Sequence, residues 1–156
     1  MLAVCGIAGI VIRDGQEDEA YEAFERALHI QCHRGPDDAD MRSLDRCLLG
    51  HCRLSIIDIA GGHQPMTTED GSLWLVFNGE IYNYLELRTQ LSGKGHILAT
   101  DSDSEVILHV FEEWGTECVA HFNGMWAFTI WDTTRSHVRP FRGRFTMKIA
   151  TVWRFR

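Results

Sequence analysis

The order of apolar and polar positions predicts strands interrupted by three helices. Residues 4–12 (VCGIAGIVI) are apolar and rich in β-branched side chains, which predicts a buried strand ending at an Asp14-Gly15 turn. Residues 17–31 predict a helix: Ala20, Phe24 and Leu28 recur at i, i+4 and i+8, with Ala23 and Ala27 beside them. The acids Glu17, Asp18 and Glu19 fall in its first turn, where the helix dipole favours negative charge. That helix must stop before Arg34-Gly35-Pro36. Strand-like runs follow at 47–52 and 54–59, then a Gly61-Gly62 loop. Leu73 to Phe77 is a further buried strand that runs straight into Asn78-Gly79, a dipeptide whose local preference is a turn. A short helix is predicted at 83–92. Ser102-x-x-Glu105 is a capping box opening a helix at 104–114, with Val106, Val110 and Trp114 on one face. Met125 to Trp131 predicts a last strand. There is neither an internal repeat nor a low-complexity stretch, and helices lying between strand groups predict two sheets covered by helices.

Length and composition narrow the picture. At 156 residues, 45% of them apolar, the chain suits one domain with a real core. The net charge of −7 argues against a general nucleic-acid binder, and the balance is uneven. Residues 1–132 hold all 22 acids and 8 of the 15 Lys and Arg, whereas residues 133–156 hold the other 7 bases and no acid. The five cysteines, at 5, 32, 47, 52 and 118, form neither a CxxC pattern nor an even disulfide framework. Reduced thiols and a cytoplasmic setting are expected, with no metal site. The apolar start has no basic residue before Arg13 and is too short to span a bilayer. Val4 before Cys5 is bulkier than a lipoprotein cleavage site requires, so no membrane association is expected.

Polar motifs interrupt the apolar elements in a specific order: CGIAGI, HRGPDD, RLSIID, NGEIYNYLELR, SDSEVIL and FNGMWAF. Singly each is weak. Together, over residues 5–132, they resemble the glutaminase domain of asparagine synthetases, class II glutamine amidotransferases with an N-terminal cysteine nucleophile. HRGPDD with RLSIID distinguishes this pattern from sister families that make glucosamine phosphate or phosphoribosylamine.

The resemblance implies an α+β fold, a four-layer αββα N-terminal-nucleophile sandwich that is incomplete at its C-terminus. It implies glutamine as substrate and hydrolysis to glutamate and ammonia. Cys5 is the implied nucleophile, with its own α-amine as base, a group that titrates at ~7.7–8.0 when free. The Asn78 side chain and the Gly79 N–H are the implied oxyanion donors. Arg53 is expected to hold the substrate α-carboxylate through its planar guanidinium, and Asp103 the α-ammonium. Leu54, Ser55, the backbone of Ile56 and Ile57, and Glu80 are expected to line the pocket. His33, Arg34, Asp37 and Asp38 read better as loop-holding residues than as chemical ones, and Asp101 as a turn or cap residue.

Two departures qualify this. Met1–Val4 precede Cys5 and would convert its amine to an amide unless they are removed, either by initiation at position 4 or by cleavage of a short propeptide. From residue 133 the chain leaves the family pattern, and a shifted reading frame or a degraded tail is the expectation for 133–156. The parent family continues into a synthetase domain that uses ATP and Mg2+; no Gly- and Ser-rich phosphate loop for it occurs here, so this chain is expected to carry no cofactor. Its ammonia would pass to a synthetase domain or chain, and a homodimer is possible for the full-length parent. The alternatives are an inactive remnant with open sheet edges, or a glutaminase subunit acting with a separate synthetase chain.

Overall fold

A computed structural model of the chain describes residues 5–12, 16–54 and 62–143, together with the backbone of 151–154. Two four-stranded sheets face one another. The first has the order β2 (Asp38–Leu44), β3 (Cys47–Arg53), β1 (Gly6–Val11), β8 (Thr151–Arg154); β1 pairs antiparallel with β3 and parallel with β8. The second has the order β4 (Met66–Thr67), β5 (Leu73–Ile81), β6 (Gly124–Asp132), β7 (His137–Arg142), antiparallel throughout. Among the described residues three helices cover them: α1 (Glu17–Gln31), α2 (Tyr84–Gly93) and α3 (Asp103–Trp114), the last followed by a 3-10 turn at Gly115–His121.

The period of two in each strand builds the layers. In β1 and β3, Ala8, Ile10, Leu48 and Cys52 face α1 and meet its stripe of Ala20, Phe24 and Leu28. The alternate residues Ile7, Cys47 and Leu49 face the second sheet, where they meet Val76, Ala127 and Trp131. On the far side of the second sheet, Leu75, Phe77, Phe128 and Ile130 pack under α2 and α3, against Leu91, Ile107 and Val110. The result is an αββα sandwich. Fully burying a Phe or Leu contributes roughly 1.5–3 kcal/mol, so the short α1 stripe suffices to dock that helix. Among the described residues, no helix is long and apolar enough to cross a membrane.

The helix predictions hold closely, at 17–31, 84–93 and 103–114. Four features differ from the sequence reading. Strand β2 falls in a stretch to which the sequence assigns no element: it is an edge strand, and its sequence DADMRSL lacks a clean alternation. Asn78-Gly79 is not a turn but lies inside β5, which runs on to Ile81. Ser102 does cap α3, accepting the Ser104 N–H at 3.2 Å, but Glu105 does not close a capping box. Its carboxylate accepts the Ala99 and Thr100 N–H groups at 2.7 and 2.8 Å instead, tying down the incoming loop. Finally, the basic segment after Asp132 supplies an outer strand to each sheet. In β7, Phe141 stacks on Phe128 with centroids 4.8 Å apart, and Pro140 is tolerated because β7 is an edge. The predicted strand at 54–59 lies largely, and the Asp14-Gly15 turn entirely, outside the described residues.

Candidate active site

Cys5 stands at the head of β1, one residue before the Gly6–Cys52 pair, where the first sheet ends. It is partly exposed, and its thiol docks on the chain leaving β3: the Leu54 N–H donates to Sγ at 3.3 Å, and Sγ–H lies 3.6 Å from the Leu54 carbonyl. Burial pushes the thiols of Cys47, Cys52 and Cys118 up to about 12, which keeps them protonated. Cys5 is thus set apart from these three by exposure.

The HRGPDD segment braces this corner. Gly35 presses so closely on the end of β3 that a Cβ there would stand 2.2 Å from the Cys52 carbonyl oxygen. The Asp37 N–H donates to the Arg53 carbonyl at 3.0 Å, and His63 bonds the Asp38 carboxylate at 2.9 Å. His33 donates from Nδ1 to the Ile30 carbonyl at 2.7 Å, satisfying an orphan carbonyl at the end of α1. These contacts fix the backbone that carries Arg53. Arg53 is buried, and by strand alternation it shares the sheet-facing side of β3 with His51.

His51 joins the two sheets. It is buried, and its Nε2–H donates to the Phe77 carbonyl at 3.1 Å. Burial lowers its pKa to about 4, against a smaller opposing effect of the Phe77 bond, so the ring is neutral at ordinary pH. Two residues along β3, about 7 Å, separate this bridge from the level of Arg53. The head of β1, the end of β3 and the middle of β5 therefore converge.

The edge of β5 is unusual there. Strand β4 covers it only opposite Leu75 and Trp74. Beyond that, side chains cap it: Gln64 Oε1 accepts the Phe77 N–H at 2.6 Å, and Asp103 Oδ2 accepts the Ile81 N–H at 3.0 Å. In an antiparallel ladder alternate residues point to the same edge, so the Gly79 N–H points the same way as these two. Among the described residues no acceptor caps it, and Gly79 is exposed while Phe77 and Ile81 are buried. Gly is required here: φ is +152°, and a Cβ would lie 2.2 Å from the Met125 carbonyl oxygen and 2.6 Å from the Trp126 Cα. Asn78 is buried on the sheet-facing side, and no described residue hydrogen-bonds its amide.

Asp103 opens α3 with its carboxylate buried. Burial raises its pKa to about 6, the neighbouring Glu80 adds to the rise, and the Ile81 N–H works against it. Glu80 itself is exposed. Asn78, Gly79, Glu80 and Asp103 thus lie together on one side of the corner, with Cys5, Arg53 and Leu54 on the other. Ser55, Ile56 and Ile57 fall outside the described residues. Two supporting residues escape sequence reading. His51 shows only as a polar interruption in the apolar run CLLGHCR, and Gln64 carries no local signal. Gln64 also donates from Nε2 to Ser104 Oγ at 3.2 Å, linking the β5 edge to the start of α3.

The αββα sandwich places Cys5 at the head of β1, a central strand of the first sheet. Solved structures share this fold. The chain superposes on the glutamine phosphoribosylpyrophosphate amidotransferase of B. subtilis with a TM-score of 0.58 at 23% identity, covering 83% of this chain and 35% of that one. It superposes on an allosteric regulatory enzyme of purine biosynthesis with a TM-score of 0.63 at 25% identity, over the same shares. The family model described as glutamine amidotransferase domain matches residues 4–149, and the chain belongs to that family. Relatives include asparagine synthetase [glutamine-hydrolyzing] 3 of Bacillus subtilis, 38% identical over 93% of this chain and 24% of that protein. A putative asparagine synthetase [glutamine-hydrolyzing] of Mycobacterium tuberculosis H37Rv is 43% identical over 83% of this chain and 22% of that protein. The chain therefore spans about a quarter of the length of these relatives, corresponding to their amidotransferase part.

Proposed function

We propose that this domain hydrolyses the side-chain amide of glutamine and hands on the ammonia. The reading rests on one observation above all: an exposed Gly79 N–H on a strand edge whose flanking outward N–H groups, at Phe77 and Ile81, are both capped. In this reading the Cys5 sulfur attacks the amide carbon, and the tetrahedral oxyanion is held by the Gly79 N–H and the Asn78 amide. The Cys5 α-amine, once free, accepts the thiol proton and delivers it to the departing nitrogen. The C–N bond breaks, ammonia leaves and a thioester remains. Water then attacks the thioester through the same oxyanion site and releases glutamate. Arg53 takes the substrate α-carboxylate and Asp103 its α-ammonium, with Leu54, Ser55, Ile56, Ile57 and Glu80 lining the pocket. The ammonia acceptor is an ATP- and Mg2+-dependent synthetase domain, on the same chain or a separate one, of the kind that makes asparagine. The test is a glutaminase assay on protein whose first residue is Cys5, alongside the same protein with Cys5→Ala. Ammonia and glutamate released in equal amounts, and lost with Cys5→Ala, support the reading; folded protein without Cys5-dependent release rejects it.

A further inference from the structure

A second cluster of chemically capable side chains lies where the loop after α2 crosses α3. His96 comes from that loop, while His109 and Glu112 are one turn apart on α3. Their donor atoms converge. His96 Nδ1 is 3.2 Å from His109 Nδ1, His109 Nδ1 is 2.7 Å from Glu112 Oε2, and His96 Nδ1 is 3.6 Å from Glu112 Oε2. Ligands held at about 2.0–2.1 Å around a tetrahedral zinc ion stand about 3.3 Å apart; the two separations from His96 are close to that, and the hydrogen-bonded His109–Glu112 pair would open by about 0.6 Å. The two rings are T-shaped to one another, with centroids 5.2 Å apart and an interplanar angle of 67°.

The groups behind the rings fit the same purpose. His96 Nε2 faces Glu113 Oε2 at 3.4 Å, and His109 Nε2 faces Glu69 Oε1 at 3.9 Å. The His109 Nδ1–H donates to Glu112 Oε2 at 2.7 Å, so an ion at the centre would take the place of that proton and require the tautomer protonated on Nε2, where Glu69 and Glu113 stand near the two rings. Glu113 is itself anchored by Lys94. Of the three donors, His109 is buried, His96 is half-buried and Glu112 is exposed, so one position stays open toward solvent.

We propose that His96, His109 and Glu112 form a site for a divalent transition-metal ion of the zinc class, with water as fourth ligand. Two imidazoles and one carboxylate suit zinc and its neighbours rather than magnesium or calcium, which prefer all-oxygen shells. The ion pins the loop after α2 to α3. That loop is already fastened by the Arg88 guanidinium on the Thr100 carbonyl and by Glu105 on Ala99 and Thr100, and it leads directly into Asp103. The site is structural, and about 9 Å of helix separates His109 from Asp103.

The test is titration of chelator-treated full-length chain with Co2+ and then Zn2+, followed by visible absorption and calorimetry. One equivalent of Co2+ is expected to give the d–d bands of a four- or five-coordinate N/O site, displaced by Zn2+, together with a higher thermal midpoint. His96→Ala, on a surface loop, should weaken binding at least about 100-fold, and Glu113→Gln, behind the ring, about 10-fold. Glu112→Gln serves as a second ligand variant, with far-UV circular dichroism confirming the fold of each. Cys5→Ala should bind as the unaltered chain does, which keeps this result independent of the proposed glutaminase activity. Absence of binding, binding indifferent to both His96→Ala and Glu112→Gln, or a near-ultraviolet thiolate charge-transfer band would each overturn the proposal.

Discussion

Asp103→Asn separates what the buried carboxylate does for function from what it costs the fold. The carboxyl is raised from 3.8 to about 6, chiefly by burial. At ~1.4 kcal/mol per pH unit, that is about 3 kcal/mol spent on keeping it ionised in the folded chain. The sign is set by proton binding. Between 3.8 and about 6 the native state holds more protons than the unfolded state, so this group's contribution makes stability fall as pH rises through that window. Above about 6 the penalty is complete. Asparagine is of similar size, and its Oδ1 can still accept the Ile81 N–H that Asp103 accepts at 3.0 Å. Its amide nitrogen brings a buried donor in place of an acceptor, which takes back about 1 kcal/mol or more. The variant is therefore expected to be more stable than the unaltered chain by about 1–2 kcal/mol at pH 7.5, roughly 3–6 °C in Tm. The gain should shrink steadily as pH falls toward 4, while glutamine turnover is lost because the substrate ammonium has no counter-charge. Urea unfolding of both proteins at closely spaced pH values measures this. Effects common to both, including that of His51, cancel in the difference. A variant no more stable at pH 7.5, or a difference that does not change with pH, would show that Asp103 is not a strained, buried anion.

The remaining expectations concern its neighbours. Gly79→Ala drives a Cβ into the Met125 carbonyl and should lower turnover by about 10²–10³ and reduce Tm, both measured on one preparation. His51, depressed from 6.5 to about 4, contributes stability that is complete above pH 6.5 and lost as pH falls toward 4, about 3 kcal/mol in all; in His51→Gln that acid limb should disappear from the stability–pH curve. Gln64→Leu strands the Phe77 N–H and should cost about 1–3 kcal/mol, with a fall in kcat as Asn78 and Gly79 lose their register. Arg53→Lys replaces a planar fork by a point charge and should raise KM for glutamine at least tenfold with a smaller change in kcat.

What the sequence discloses and what it hides divide along a physical line. Helix α1 is legible because burial of Ala20, Phe24 and Leu28 follows from helical spacing alone. Strand β2 is not, because an edge strand half open to solvent has little reason to alternate. Asn78-Gly79 and Ser102-x-x-Glu105 mislead in the same manner. Both obey a local rule that a contact outside the motif overrides, the approach of β6 in one case and the loop at Ala99 and Thr100 in the other. The motif order points to Cys5, Arg53, Asn78, Gly79 and Asp103, since each carries chemistry its residue type announces. His51 and Gln64 announce nothing, because their task exists only once the sheets face each other. Strand β4 is two residues long, so β5 is left with outward N–H groups that no strand covers. A buried strand edge must be satisfied, and Gln64 and Asp103 do so at Phe77 and Ile81, to either side of Gly79. The short β4 and the exposed Gly79 donor are therefore one feature: the second sheet stops early and leaves an N–H between the two caps, the donor that the proposed function gives to the oxyanion.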